Sequence, residues 1–387
     1  MVEYNNLAET EAAGRYLVAF LKAVLNQTEI PQLPCDITWE NVFTTAKMHS
    51  VESMAFYGAK KFLAEDDDLF RIWKKKREQN LVQSLIQLDE RAGIYRRFSQ
   101  AGIRFVPLKG CILKDLYGQI DFRQMADLDI LIQPEDAKAV KNLMEESGYK
   151  TVGFGEKHAD EYFMYPYINV EIHKQLLPDY VSKHNYYDNI WDRVKPDPDL
   201  PGGWQMSHED FYIYHLAHFA KHFYEMGSGI RSVMDIYVYL RAFGKEMDIR
   251  YIERELKTLE LYEFGKQMRN LSLFWFSPHS KDSSHPADRD FEEIQKSIFM
   301  SGVYGSREFV KSRTMDEARI KGGILNSAGY IWKRIFMSRK EFEYAYPVTK
   351  KSPVLIPVFW FYRIIDILLH KRASVRREIE LFQSKRK

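Results

Sequence analysis

The sequence predicts an α+β fold: a small mixed β-sheet core over residues 99–200, flanked by N-terminal and C-terminal helical regions. Three observations lead there. Apolar residues recur at helical spacing from Tyr16 to Phe98 and again from His208 onward. At Gly102 the pattern changes to two-residue alternation with β-branched and aromatic side chains. Inside that stretch, Ala126-Asp127-Leu128-Asp129-Ile130-Leu131-Ile132 sets two carboxylates, two residues apart, in a run that otherwise reads as a buried strand.

Taken in order, residues 1–98 are expected to be helical. Tyr16, Leu17, Phe20, Leu21, Val24 and Leu25 form the stripe of a first helix. Thr38, followed by Asn41 at the third position, opens a second, whose stripe runs Val42, Phe43, Ala46, Val51, Met54 and Ala55. A long third helix spans Leu69 to Phe98, with Lys74-Lys75-Lys76-Arg77 on its solvated face. Ile103 to Leu108 then reads as a strand, Ile112 to Tyr117 as a short helix and Asp127 to Ile132 as a second strand. Pro134 opens a helix that ends at Ser147-Gly148. Tyr162 to Tyr165 and Asn169 to His173 are further strands. Pro196 to Gly203 is a loop, and residues 201–276 are helical, placed as one wall of a cleft. Residues 277–387 form a C-terminal helical region, with a polar loop from Ser277 to Asp290 and a proline break at Tyr346-Pro347.

Composition narrows the class. Hydrophobic residues at 45% and charged residues at 28% describe a soluble globular chain of 387 residues with room for more than one domain. A net charge of +2 carries no whole-chain signature for nucleic acid, so a nucleic acid partner is not expected. Two distant cysteines, Cys35 and Cys111, form no disulfide framework and fit a reducing, cytoplasmic setting. Met1-Val2-Glu3-Tyr4 lacks a basic region followed by an apolar run, so no signal peptide is expected. The apolar run Val354 to Leu369 is interrupted by Pro357, Arg363 and Asp366 and is short for a span of roughly 20 residues. It reads as a buried helix, and its basic flanks leave surface contact with a membrane as the lesser reading.

The acidic pair carries the chemistry. Alternation along a strand sends Asp127 and Asp129 to one face, and Leu128 and Ile130 to the other. Two like charges side by side call for a cation, and oxygen donors suit a divalent metal, Mg²⁺ first and Mn²⁺ as the alternative. Glu171, in the alternating run Val170-Glu171-Ile172, is the candidate third ligand from a neighbouring strand. Such a site would bind a triphosphate and neutralise charge at the reacting phosphorus.

The order of motifs adds a resemblance. Gly102-Ile103, Pro107-Leu108-Lys109-Gly110, Leu116-Tyr117, Arg123, Asp127-Leu128-Asp129-Ile130-Leu131-Ile132, Gly148-Tyr149 and Val170-Glu171-Ile172-His173 follow one another. In this the chain resembles an uncharacterised nucleotidyltransferase family of the DNA polymerase β-like superfamily. The likeness extends to His215-Leu216-Ala217-His218-Phe219-Ala220-Lys221-His222, Arg231 and Asp235-Ile236, and then to Tyr346-Pro347 and Leu355-Ile356-Pro357. It implies a nucleotidyltransferase core and metal-dependent transfer of a nucleoside monophosphate from an NTP to an acceptor it does not name. Many members of the superfamily carry Gly-Ser before the acidic pair; Lys109-Gly110 stands there in this chain.

From these residues follows an expected site. Asp127, Asp129 and Glu171 are the catalytic acids and metal ligands, with Glu171 as general base. Gly110 permits close approach of the backbone to a phosphate, and Lys109 offers it a point charge. Arg123 is expected either on phosphate or paired with the acids. His173 shares a strand face with Glu171 and would orient a ligand or touch the nucleotide. His215, His218 and His222 fall on one helical face and, with Lys221, would line the cleft; a zinc site there lacks a Cys or acidic partner at ligand spacing. Asp235 is expected to tie its helix pair together, by hydrogen bonds or by an Arg231 contact. A second reading, from another class, is a non-catalytic nucleotide-binding protein on the same fold.

Overall fold

The computed structural model describes residues 7–166, 168–178, 186–278 and 289–302, together with Pro357 and Phe359. The helices and strands from Leu7 to Ser301 all belong to one of the two compact units into which the chain divides; Pro357 and Phe359 belong to the other. The proline break at Tyr346-Pro347 and the apolar run Val354 to Leu369 lie outside the described residues, apart from Pro357 and Phe359.

Four helices come first: α1 (Leu7–Asn26), α2 (Trp39–Met48), α3 (Glu52–Ala59) and α4 (Asp68–Gln100). The Thr38–Asn41 capping box is present: the Asn41 backbone N–H donates to Thr38 Oγ1 at 3.3 Å, and the Thr38 N–H donates to Asn41 Oδ1 at 2.8 Å. The single stripe expected from Val42 to Ala55 is in fact two helices. His49 and Ser50, the latter at φ +51°, break the chain between them. His49 is buried and its Nδ1 accepts a hydrogen bond from Ile230 N–H at 3.2 Å, so a tertiary contact sets the break. Asp67 caps the long α4, accepting from Leu69 N–H at 2.6 Å.

The sheet has five strands in the order β1-β2-β5-β4-β3: β1 (Phe105–Pro107), β2 (Leu128–Ile132), β3 (Lys150–Val152), β4 (Ala159–Met164) and β5 (Ile168–His173). Pro107 donates no hydrogen bond and sits on an edge strand, where none is missed. β2 and β5 run parallel at the centre, with Leu128 opposite Val170, Asp129 opposite Glu171 and Leu131 opposite His173. The helix expected from Ile112 to Tyr117 is a short α5 (Gly110–Leu113) followed by a 3-10 turn to Tyr117. The helix opened by Pro134 begins as a 3-10 turn and continues as α6 (Ala137–Glu146). β3 has no counterpart in the sequence reading: three residues, two of them exposed, show no burial pattern.

One face of the central strands is apolar. Leu128, Ile130, Ile132, Val170 and Ile172 join Ile94 and Phe98 of α4 and Val140 and Met144 of α6 in one core cluster. The opposite face carries Asp129, Glu171 and His173, the odd-numbered positions that alternation assigns to it. The loop from Pro196 to Gly203 joins two short strands, β6 (Lys195–Pro196) and β7 (Trp204–Gln205). Beyond it come α7 (His208–Glu225), α8 (Ile230–Phe243), α9 (Ile249–Thr258), α10 (Tyr262–Phe276) and α11 (Arg289–Ser301). Among the described residues no helix is long and apolar enough to cross a membrane.

Candidate active site

The polar face of the central strands gathers the carboxylates. Asp129 and Glu171 stand side by side because β2 and β5 pair in parallel at that register. His173, two residues further on β5, places Nε2 at 2.8 Å from Asp129 Oδ1 and 3.5 Å from Glu171 Oε2. Ligand atoms of Asp129, Glu171 and His173 all lie within 4.8 Å of one another. This tight trio differs from the expected Asp127–Asp129–Glu171 set. Strand pairing starts at Leu128, so the alternation used to place Asp127 is not imposed on it. Asp127 still feels the charges of Asp129 and Glu171.

Lys109 joins β1 to α5. Its backbone is at φ +44° and ψ −114°, a strained conformation for a residue with a side chain. The ladder continues past β1 as Leu108 N–H donates to the Asp129 carbonyl at 2.9 Å, which brings the Lys109 side chain over the acids. Its ammonium donates to Asp129 Oδ1 at 2.6 Å. Gly110 follows, and a Cβ there would lie 2.8 Å from Arg123 Nη1 and 2.9 Å from Met125 Sδ. Any larger residue would make the Arg123 or Met125 side chain shift.

The electrostatics follow from burial and these partners. Burial alone would raise Asp129, but the Lys109 charge and the His173 hydrogen bond outweigh it and hold its carboxyl below the usual range. Asp127 moves the other way: burial first, then the Asp129 charge, push it above the ordinary carboxylate value. Glu171 is held low because the His173 hydrogen bond and Lys109 outweigh burial and Asp129. His173 is raised, since its bonds to Asp129 and Glu171 overcome burial and the Lys109 charge. A carboxylate kept from ionising by its neighbour is what a divalent cation would relieve. The donor set, three carboxylates and one imidazole, fits such an ion.

Arg123 is committed elsewhere. Its Nε and Nη2 donate to the two oxygens of Asp235 at 2.7 and 3.0 Å, and Tyr117 Oη donates to the same Asp235 at 2.8 Å. A buried guanidinium needs such a partner, and Asp235 holds it rather than a phosphate or the acids of the strand. Asp235 thus makes its ties by hydrogen bonds to Tyr117 and Arg123, while Arg231 acts on it through its charge and donates to the Gln124 carbonyl at 3.0 Å. The three histidines of α7 also part company. His218 and His222 bring Nε2 atoms to 3.0 Å, while His215 is buried toward Asp235 and Arg123. Lys221 lies within electrostatic reach of Lys109, Glu171 and Asp129.

Residues 36–276 match the model of a family described as uncharacterised nucleotidyltransferase. The chain belongs to this family. No curated protein and no solved structure matches it. The match takes in every residue of the acidic cluster, the Lys109-Gly110 turn and α7. Two residues of this nucleotidyltransferase beside the site went unread in the sequence. Tyr214 is fully buried and feels Lys109, Asp129, Glu171 and Asp127. The His158 ring lies 5.5 Å from that of His173. Neither belongs to a motif; only the packing of α7 and the pairing of β4 with β5 bring them near.

Proposed function

We propose that this nucleotidyltransferase uses a divalent metal, Mg²⁺ or Mn²⁺, to move a nucleoside monophosphate from an NTP to a hydroxyl-bearing acceptor, with release of pyrophosphate. The observation that carries this reading is the pairing of Asp129 with Glu171 on the parallel strands β2–β5, with Lys109 and His173 set against them and Asp127 just ahead of β2. Asp127, Asp129 and Glu171 would hold the ion, with His173 at its side. When bound, the metal supplies charge neutralisation at the α-phosphate and acidifies the attacking hydroxyl.

The chain's own groups do the rest. Glu171, ionised at neutral pH, accepts the acceptor's proton. The acceptor oxygen forms a bond to the α-phosphorus, and the bond from that phosphorus to the oxygen bridging to the β-phosphate breaks. Lys109, Gly110 and Lys221 contribute the phosphate side of the cleft, and His173 steadies Asp129 and the nucleotide. Arg123 contributes by supporting the Lys109-Gly110 turn. The test is labelling of acceptor fractions from α-labelled NTP with Mg²⁺. Asp127→Asn should abolish labelling; unchanged labelling would overturn the assignment.

One feature favours a second reading. Lys109 and His173 already satisfy Asp129 Oδ1, as in a cluster that binds nucleotide without turnover. Calorimetric binding of NTP with Mg²⁺, and no transfer to any acceptor in a broad panel, would select it.

A further inference from the structure

Apart from Lys221, the face of α7 toward the acids has no role in the reaction so far. Tyr214, His218, Lys221 and His222 lie at i, i+4, i+7 and i+8, one stripe of the helix. The rings of Tyr214 and His218 are 6.2 Å apart, and those of His218 and His222 are 4.4 Å apart. All four residues feel the Lys109 charge, and Tyr214, Lys221 and His222 also feel Asp129 and Glu171. Tyr214 Oη is buried and has no hydrogen-bond partner, a costly state for a hydroxyl. His218 and His222 share one hydrogen bond between their Nε2 atoms.

We propose that this stripe is the polyphosphate site, holding the β- and γ-phosphates of the NTP and then the departing pyrophosphate. The inference rests on the nucleotidyl-transfer reading and adds to it which end of the nucleotide α7 receives. Three arguments support it. The four side chains offer hydrogen-bond donors and an ammonium, as a polyanion requires and a ribose or base does not, and the one carboxylate near Lys221 on α7, Glu225, lies at the end of the helix. It extends over roughly 12 Å, from eight residues at ~1.5 Å each, enough to follow a triphosphate chain. Lys221 stands within electrostatic reach of Asp129 and Glu171, which would hold the metal, so a chain leaving that point toward α7 meets one ammonium and a row of neutral hydrogen-bond donors. A phosphate oxygen also gives the buried Tyr214 hydroxyl an acceptor.

The experiment compares three probes on the full chain with Mg²⁺: an NTP, the matching NMP and inorganic pyrophosphate. Lys221→Met and the double variant His218→Asn/His222→Asn are expected to weaken NTP and pyrophosphate by about tenfold or more. NMP affinity should stay within about twofold of wild type. Lys221→Arg should restore most of the NTP affinity. Tyr214→Phe, which keeps the ring and its packing, should weaken pyrophosphate and leave NMP alone. Variants that bind all three probes like the wild type, or lose all three equally, overturn the assignment while leaving nucleotidyl transfer intact. Loss of a Zn²⁺ site in the double variant, with pyrophosphate binding unchanged, overturns it as well. A wild-type chain that neither binds NTP nor transfers label refutes the nucleotidyl-transfer reading itself, and this inference with it.

Discussion

Lys109 is the residue on which charge and backbone meet. Its ammonium bonds the same Asp129 oxygen that His173 approaches, so it competes with any cation for that carboxylate. Lys109→Met should therefore lower the Mg²⁺ concentration for half-maximal transfer by several fold, because the cluster becomes more negative. Turnover should fall in the same variant, since a phosphate contact is lost. Metal titrations of initial rate separate the two, and a raised Mg²⁺ requirement would contradict the competition. Gly110 is decided by space. A methyl group there would crowd Arg123 Nη1 and Met125 Sδ, and Arg123 is pinned by its pair with Asp235. Gly110→Ala should cost about 1–3 kcal/mol in urea unfolding, as overpacking does. The acids were legible at this scale because alternation and spacing are local properties. The partner of Arg123 was not, because Asp235 lies more than a hundred positions away in the chain.

Among the elements, the parallel pair β2–β5 does the positioning. Its apolar face is held by α4 and α6, and its polar face carries the site. Ile130 is fully buried in that core, and Ile130→Ala should cost about 2–5 kcal/mol. The segment before β2 is tied to α8 by the Arg123–Asp235 pair, buried on both sides. Asp235→Asn removes one charge and strands the other, so about 3–5 kcal/mol should be lost. Burial would raise Asp235, but Arg123 outweighs it and holds the carboxyl low. Its contribution is thus present above the unfolded value of about 3.9 and disappears as pH falls through the folded one. Denaturant midpoints of wild type and Asp235→Asn should converge in strong acid; a constant gap would rule out the ion pair as the cause. Strands β2 and β5 were readable from alternation, and α4 from its period. β3 was not, because an exposed edge of three residues has no burial pattern to betray it. The break between α2 and α3 was hidden by Val51, Met54 and Ala55, which keep helical spacing through it.

At the scale of the molecule, buried neutral histidines among the described residues set the response to pH. Burial lowers His49 to about 3, and His215 and His222 to about 4; His158 and His218 are lowered as well. In the unfolded chain these rings take up protons near 6.5, whereas in the folded chain they do not. The unfolded state thus binds more protons as pH drops below that value, and stability falls with it. Among the described residues Asp127, His173 and Asp136 are shifted upward and pull the other way, but the five lowered histidines outnumber them. The thermal midpoint should therefore be lower at pH 5 than at pH 7, with each histidine contributing up to ~1.4 kcal/mol per pH unit in the window. His49→Gln should reduce the difference; a midpoint that is flat or higher at pH 5 would contradict the account.

What the sequence determined by itself is the candidate acids and their frame. Asp129 and Glu171 lie in apolar alternating runs, and the period of a strand is enough to assign their face. The Thr38–Asn41 cap and the long α4 are local in the same sense. What only the tertiary structure decided is who meets whom. Parallel pairing of β2 with β5 put His173 against Asp129, the Leu108–Asp129 bond aimed Lys109 at the acids, and the packing of α7 brought Tyr214 and two histidines to face them. The physical reason is that periodicity is written in neighbouring residues, while a partner for a buried charge is found wherever the folded chain supplies one.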